Sequence, residues 1–143
     1  MIRLLASNGY DMHDFANLLE DIAKLSQKDE QVSEEEEKEN NLYRKVTDIL
    51  KRIQFPFNMK GYDYVKEAIV EKYKNPKKKF HNDIYSSIAE KYQTTTLSVD
   101  AGIRHALNRM QEGMTKEELK KLFGVPRQLT NKEFIHWAVA MLH

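Results

Sequence analysis

At 143 residues the chain has room for one domain with a proper core and an appendage, and its lack of cysteine excludes disulfides and thiolate metal sites. No apolar run approaches the length of a membrane span or a signal-peptide core, which predicts a soluble, cytoplasmic protein. The net charge of +1 conceals a division: residues 1–40 hold four Lys/Arg against eleven Asp/Glu, a balance of −7, and residues 41–143 hold nineteen against eleven, a balance of +8.

In chain order, Asp11 can cap a helix whose apolar stripe is Phe15, Leu18, Leu19, Ile22 and Leu25, which predicts a helical arm over residues 1–25. Residues 26–41 are rich in Glu and nearly free of apolar side chains, so they read as an acidic linker. A new pattern starts at Leu42 and runs through Val46, Ile49, Leu50 and Ile53. It ends at Phe55-Pro56, because proline disfavours helix in the residue before it. Tyr62, Val65, Ala68, Ile69 and Tyr73 mark the next helix, closed by Asn75-Pro76 and the basic run Lys77, Lys78 and Lys79.

Residues 80–113 read as two helices joined by a polar turn, the outline of a helix-turn-helix. Ile84, Ile88 and Tyr92 repeat at helical spacing, with small Ala89 where another helix could cross. Gln93, Thr94, Thr95 and Thr96 interrupt the pattern, and Val99, Ile103, Ala106, Leu107 and Met110 open a new buried stripe. The opposite face of that second helix carries Ser98, Ala101, Arg104, His105 and Asn108, where a recognition helix holds its groove-facing side chains. Gly102 within it is unfavourable for a helix by roughly 1 kcal/mol against alanine, which makes sense if another helix packs there. Thr115 with Glu118, and Thr130 with Glu133, have capping-box spacing and open the last two helices. The first carries Leu119, Leu122 and Phe123 and closes at Gly124 and Pro126. The second carries Phe134, Trp137, Ala138 and Met141, with Trp137 expected in the core. The fold class is therefore all-α: a six-helix domain over residues 42–143 containing a helix-turn-helix.

Catalytic and metal chemistry find little support. His13, His81, His105, His136 and His143 show no i, i+4 pairing, and neither a phosphate-cradling glycine loop nor a nucleophile motif is present, so no enzyme activity, metal or cofactor is expected.

The strings KGYDYVKEAI (60–69), DIYSSIAEKYQTT (83–95), GIRHAL (102–107), LFGVP (122–126) and NKEFIHWAVAMLH (131–143) resemble the C-terminal effector domain of the sporulation response regulators of the stage zero sporulation protein A family. The resemblance covers about Leu42 to Leu142. It implies a six-helix DNA-binding domain that controls transcription in a spore-forming bacterium. The arm segment GYDMHDFANLLEDIAKLS resembles the last helix of a receiver domain in the same regulators; an ordinary amphipathic arm is the alternative.

In that family, positions matching Ser98, Asp100 and Ala101 carry base-reading arginines and a glutamate. Here both arginines are replaced, and Asp100 keeps an acceptor on a shorter stem. Arg104 and His105 match the family's Arg-His pair, with Arg104 suited to a phosphate. Lys60, Thr94, Thr95, Thr96 and Lys77 to Lys79 can add contacts independent of sequence. The leading expectation is a sequence-specific regulator that binds double-stranded DNA. The alternative is an interaction protein or antagonist that pairs with the full-length regulator or another protein; a homodimer or heterodimer suits either reading.

Overall fold

The computed structural model describes residues 33–143, so the expected arm and the first part of the expected linker lie outside the described residues. Among the described residues there are six α-helices and no strand: α1 Glu34–Arg52, α2 Lys60–Lys74, α3 Ser86–Lys91, α4 Thr96–Glu112, α5 Lys116–Phe123 and α6 Asn131–Leu142. A π-helical turn, Phe80–Tyr85, leads directly into α3. In that wide turn the Ile84 amide reaches the Lys79 carbonyl, and the Asp83 carboxylate accepts from the Lys79 amide at 2.7 Å.

Helix α1 begins at Glu34, well before Leu42, so residues 34–41 of the expected linker are helical. The reason lies in its ends. Ser33 Oγ accepts from the Glu36 amide at 3.2 Å, Glu34 to Glu37 sit at the positive end of the helix dipole, and Lys51 and Arg52 sit at the negative end. Only Leu42, Val46 and Leu50 are buried. The helix closes in a Schellman motif: Gln54 takes φ 58°, its amide reaches the Lys51 carbonyl, and the Phe55 amide reaches Leu50. Pro56 then prevents continuation.

Helix α2 starts at Lys60, two residues before the expected Tyr62, and forms the centre of the packing against α4 and α6. Its Val65, Ala68, Ile69 and Val70 join Ile84, Ile88, Val99, Ile103, Leu107, Phe134 and Ile135 in one core. Gly61 makes the close crossing with α4 possible: a Cβ there would lie 2.1 Å from the Gly102 carbonyl oxygen. Gly102 is thus the small residue at a helix crossing that its sequence position suggested. Glu67 of α2 ties three helices together, accepting from Tyr43 Oη at 2.7 Å and from Lys91 Nζ at 2.7 Å. That bond holds the Lys91 ammonium above its ordinary range.

The two expected capping boxes differ. At α6 the Thr130 side chain accepts from the Glu133 amide and the Glu133 carboxylate accepts from the Thr130 amide, so both halves form. At α5 Thr115 accepts from the Glu118 amide, but the Glu118 carboxylate takes the Thr115 hydroxyl proton instead of the backbone amide. Arg127 explains part of the contrast. Its fork grips both oxygens of Glu133 at 3.0 and 2.7 Å and holds that carboxylate over the α6 start. Trp137 is half-buried, stacked on Phe134 at 5.8 Å and edge-on to Phe123 at 5.0 Å. Met141, expected on the same stripe, is 59% exposed; Ile135 is buried on α6 instead.

Candidate nucleic-acid interface

The turn between α3 and α4 is a second Schellman motif. The Gln93 amide reaches the Glu90 carbonyl and the Thr94 amide reaches Ala89 at 2.8 Å, with Gln93 at φ 53° in the position glycine usually takes. This sharp stop turns the chain within a few residues and aims it into α4. Thr95 then caps α4: its Oγ1 accepts from the Ser98 amide at 3.1 Å and donates to Ser98 Oγ at 2.9 Å. Thr94 and Thr96 are half-buried and Thr95 is exposed. The capped, positive end of α4 suits a phosphate oxygen.

Along α4, Val99, Ile103, Ala106 and Leu107 are sealed in the core. The face pointing away holds Ala101, Arg104 and His105, all exposed, with Asn108 half-buried. Leu97 belongs to this face too and was not among the residues read from the sequence; it is 78% exposed. The signal for it was angular, since Leu97, Ala101, Arg104 and Asn108 recur at intervals of four, three and four, which keeps them on one side of a helix.

Asp100 is placed differently from its neighbours. Its backbone carbonyl and Oδ1 accept from Asn131 Nδ2 at 2.9 and 3.0 Å, and its Oδ2 accepts from Arg104. The carboxylate therefore fastens α4 to the start of α6 and holds the Arg104 guanidinium one turn away. Beneath it lies Tyr85, fully buried, whose phenol is pushed up to about 12, first by burial and then by Asp100, with Asn131 and Arg104 opposing. A neutral phenol at any physiological pH follows.

Lys60 is exposed at the first position of α2, one residue before the Gly61 crossing, and so flanks α4. Lys77 and Lys79 are exposed, while Lys78 is half-buried and lies 4.0 Å from the Glu71 carboxylate. Among the described residues no three His, Asp or Glu side chains converge as a metal site, and no helix is long and apolar enough to cross a membrane.

Residues 46–142 match the protein family described as the sporulation initiation factor Spo0A C terminal. The chain belongs to that family. The matched span opens inside α1 and takes in the whole helix-turn-helix and both helices after it. As a Spo0A C-terminal domain it is a sporulation-related DNA-binding effector domain, and the exposed face of α4 lies on its helix-turn-helix.

Proposed function

We propose that the chain is a sequence-specific transcription regulator that lays α4 in the major groove of double-stranded DNA, acts in the cytoplasm without a cofactor, and reads a target altered from that of its relatives. The observation that carries this reading is the stripe of exposed Leu97, Ala101 and Arg104 with half-buried Asn108, on a helix whose other face is buried and whose entry is fixed by a cap and a Schellman turn. Lys60 and Arg104 supply backbone charge beside it, and residues 41–143 carry +8 overall. Ser98 and Ala101 stand where the resembled regulators have arginines, so base identity is read by smaller side chains.

An electrophoretic shift series tests this, with duplexes carrying the family's box and a scrambled sequence, at several salt concentrations. Binding that weakens steeply with salt, at roughly 0.9 log unit of affinity per log unit of salt for each phosphate contact, and that discriminates among sequences, supports the reading. Failure to bind any duplex at low salt removes it.

A second reading is favoured by one observation: within the first three turns of α4 the sole arginine, Arg104, is held by Asp100. A protein of this kind could act as an antagonist, pairing with a full-length regulator as a heterodimer in place of occupying DNA itself. Co-elution with such a regulator, together with absent DNA binding, would favour this alternative.

A further inference from the structure

We infer that α4 reads A·T base pairs, with Leu97 and Ala101 set against thymine methyl groups and Asn108 on an adenine edge; the inference rests on the DNA-binding reading above. Three observations lead there. First, Leu97 is 78% exposed in the first turn of α4, four residues before exposed Ala101 and on the same side of the helix. In the major groove the apolar feature presented by a base pair is the C5-methyl of thymine, so a leucine and an alanine aligned one turn apart match methyl groups and nothing on a G·C pair.

Second, the two side chains with the chemistry for a G·C pair are occupied with each other. An arginine fork suits guanine and a carboxylate suits the cytosine amino group. Here Arg104 donates to Asp100, and Asp100 also accepts from Asn131 on α6. Presenting Asp100 to a base requires breaking its contacts with Asn131, which fasten α4 to the last helix, and turning the Arg104 fork to a base requires breaking its pairing with Asp100 one turn away on α4. The Ser98 hydroxyl accepts from Thr95 within the cap and keeps its own O–H to donate, so it can meet an acceptor on any base pair without choosing between them.

Third, the polar side chain remaining on the stripe between its flanks is Asn108, and a carboxamide makes a paired donor and acceptor contact with adenine. His105 lies beside it, exposed, and can meet an acceptor or a donor without choosing between pairs. The face as built thus favours thymine and adenine by what it offers and disfavours guanine and cytosine by what it withholds.

Selecting duplexes from a random library with the full chain gives the preferred sequence. The expected result is a site with A·T pairs at its core. Replacing thymine by deoxyuridine, which pairs identically but lacks the methyl, should lower affinity about fourfold for each methyl that meets Leu97 or Ala101. With Leu97→Ala the difference between the thymine and deoxyuridine duplexes should shrink at one position, and with Asn108→Ala affinity for the selected duplex should fall about tenfold while preference relaxes at one base pair. Leu97 is outside the core, so the variant should melt like the parent. A selected core of G·C pairs, or equal binding of thymine and deoxyuridine duplexes, overturns the inference and leaves the DNA-binding reading standing. A library from which no duplex is retained at low salt overturns both.

Discussion

Replacing Gly61 with alanine should destabilise the domain more than any other single-methyl addition at the α2 to α4 crossing. The new Cβ would sit 2.1 Å from the Gly102 carbonyl oxygen and 2.8 Å from both the Gly102 carbonyl carbon and Ala106 Cβ. Ordinary contact begins near 3.4 Å, so the helices must part by roughly 1.3 Å along that line, and two of the three obstructing atoms are backbone. Overpacking of this kind costs about 1–3 kcal/mol, and the upper end applies because backbone cannot rotate aside. Alanine returns at most about 1 kcal/mol of helix preference, less in a first turn. A net loss of about 2 kcal/mol corresponds to a fall in Tm of roughly 8–16 °C for a domain of this size. Gly102→Ala is the control: its Cβ meets the Tyr64 ring at 3.0 and 3.1 Å, and a side chain can shift, so the net change should stay within about 1 kcal/mol. Thermal unfolding of the two variants by circular dichroism decides the matter. Equal Tm for Gly61→Ala and the parent, or a larger loss for Gly102→Ala, would refute the close-crossing argument.

Gln93→Gly should raise stability by about 0.5–1 kcal/mol, because a left-handed residue with a Cβ is disfavoured by about 1–2 kcal/mol and the added chain freedom of glycine offsets only part of that; denaturant titration would show it as a higher midpoint. Gln111→Leu should lower stability by about 2–4 kcal/mol, since buried Gln111 bonds both the amide (2.6 Å) and the carbonyl (3.2 Å) of Leu129, and leucine leaves both backbone groups unsatisfied; an unchanged unfolding midpoint would show the two bonds to be dispensable. Arg127 holds the Glu133 carboxylate down to about 2 from an ordinary 4.5. A depressed folded value contributes stability above pH 4.5 that is lost as pH falls toward 2, so Arg127→Gln should flatten the acid limb of a stability against pH curve in that window, and added salt should shrink the difference because the pair is exposed.

The helices were legible in the sequence wherever local rules act alone. Apolar spacing marks α2, α4 and α6, and threonine three residues before glutamate marks two helix starts. The start of α1 was not, because a Glu-rich stretch looks unable to offset its ordering entropy until Ser33 and the helix dipole are counted together. Gln54 and Gln93 hid two helix stops that glycine would have announced. The exposed face of α4 follows from its period, yet Leu97 goes unread there, because an apolar side chain among polar neighbours carries no donor or acceptor to mark it as a contact. The engagement of Asp100 with Asn131 joins positions 31 residues apart, and no local pattern signals it. Asp100 therefore reads as a free base contact in the sequence and as a fastening in the fold.

Ala101→Glu tests most directly whether the exposed face of α4 enters the groove. Ala101 is exposed at the middle of that face, so a glutamate there places a charge against the DNA bases and phosphates without entering the core. Fluorescence anisotropy with a labelled duplex, measured on parent and variant at matched salt and alongside a melting curve, should show binding reduced at least about tenfold with Tm unchanged, since an introduced like charge at a groove opposes contact by more than about 1.4 kcal/mol. Parent-like affinity in a fully folded Ala101→Glu protein would place the DNA contact elsewhere on the molecule.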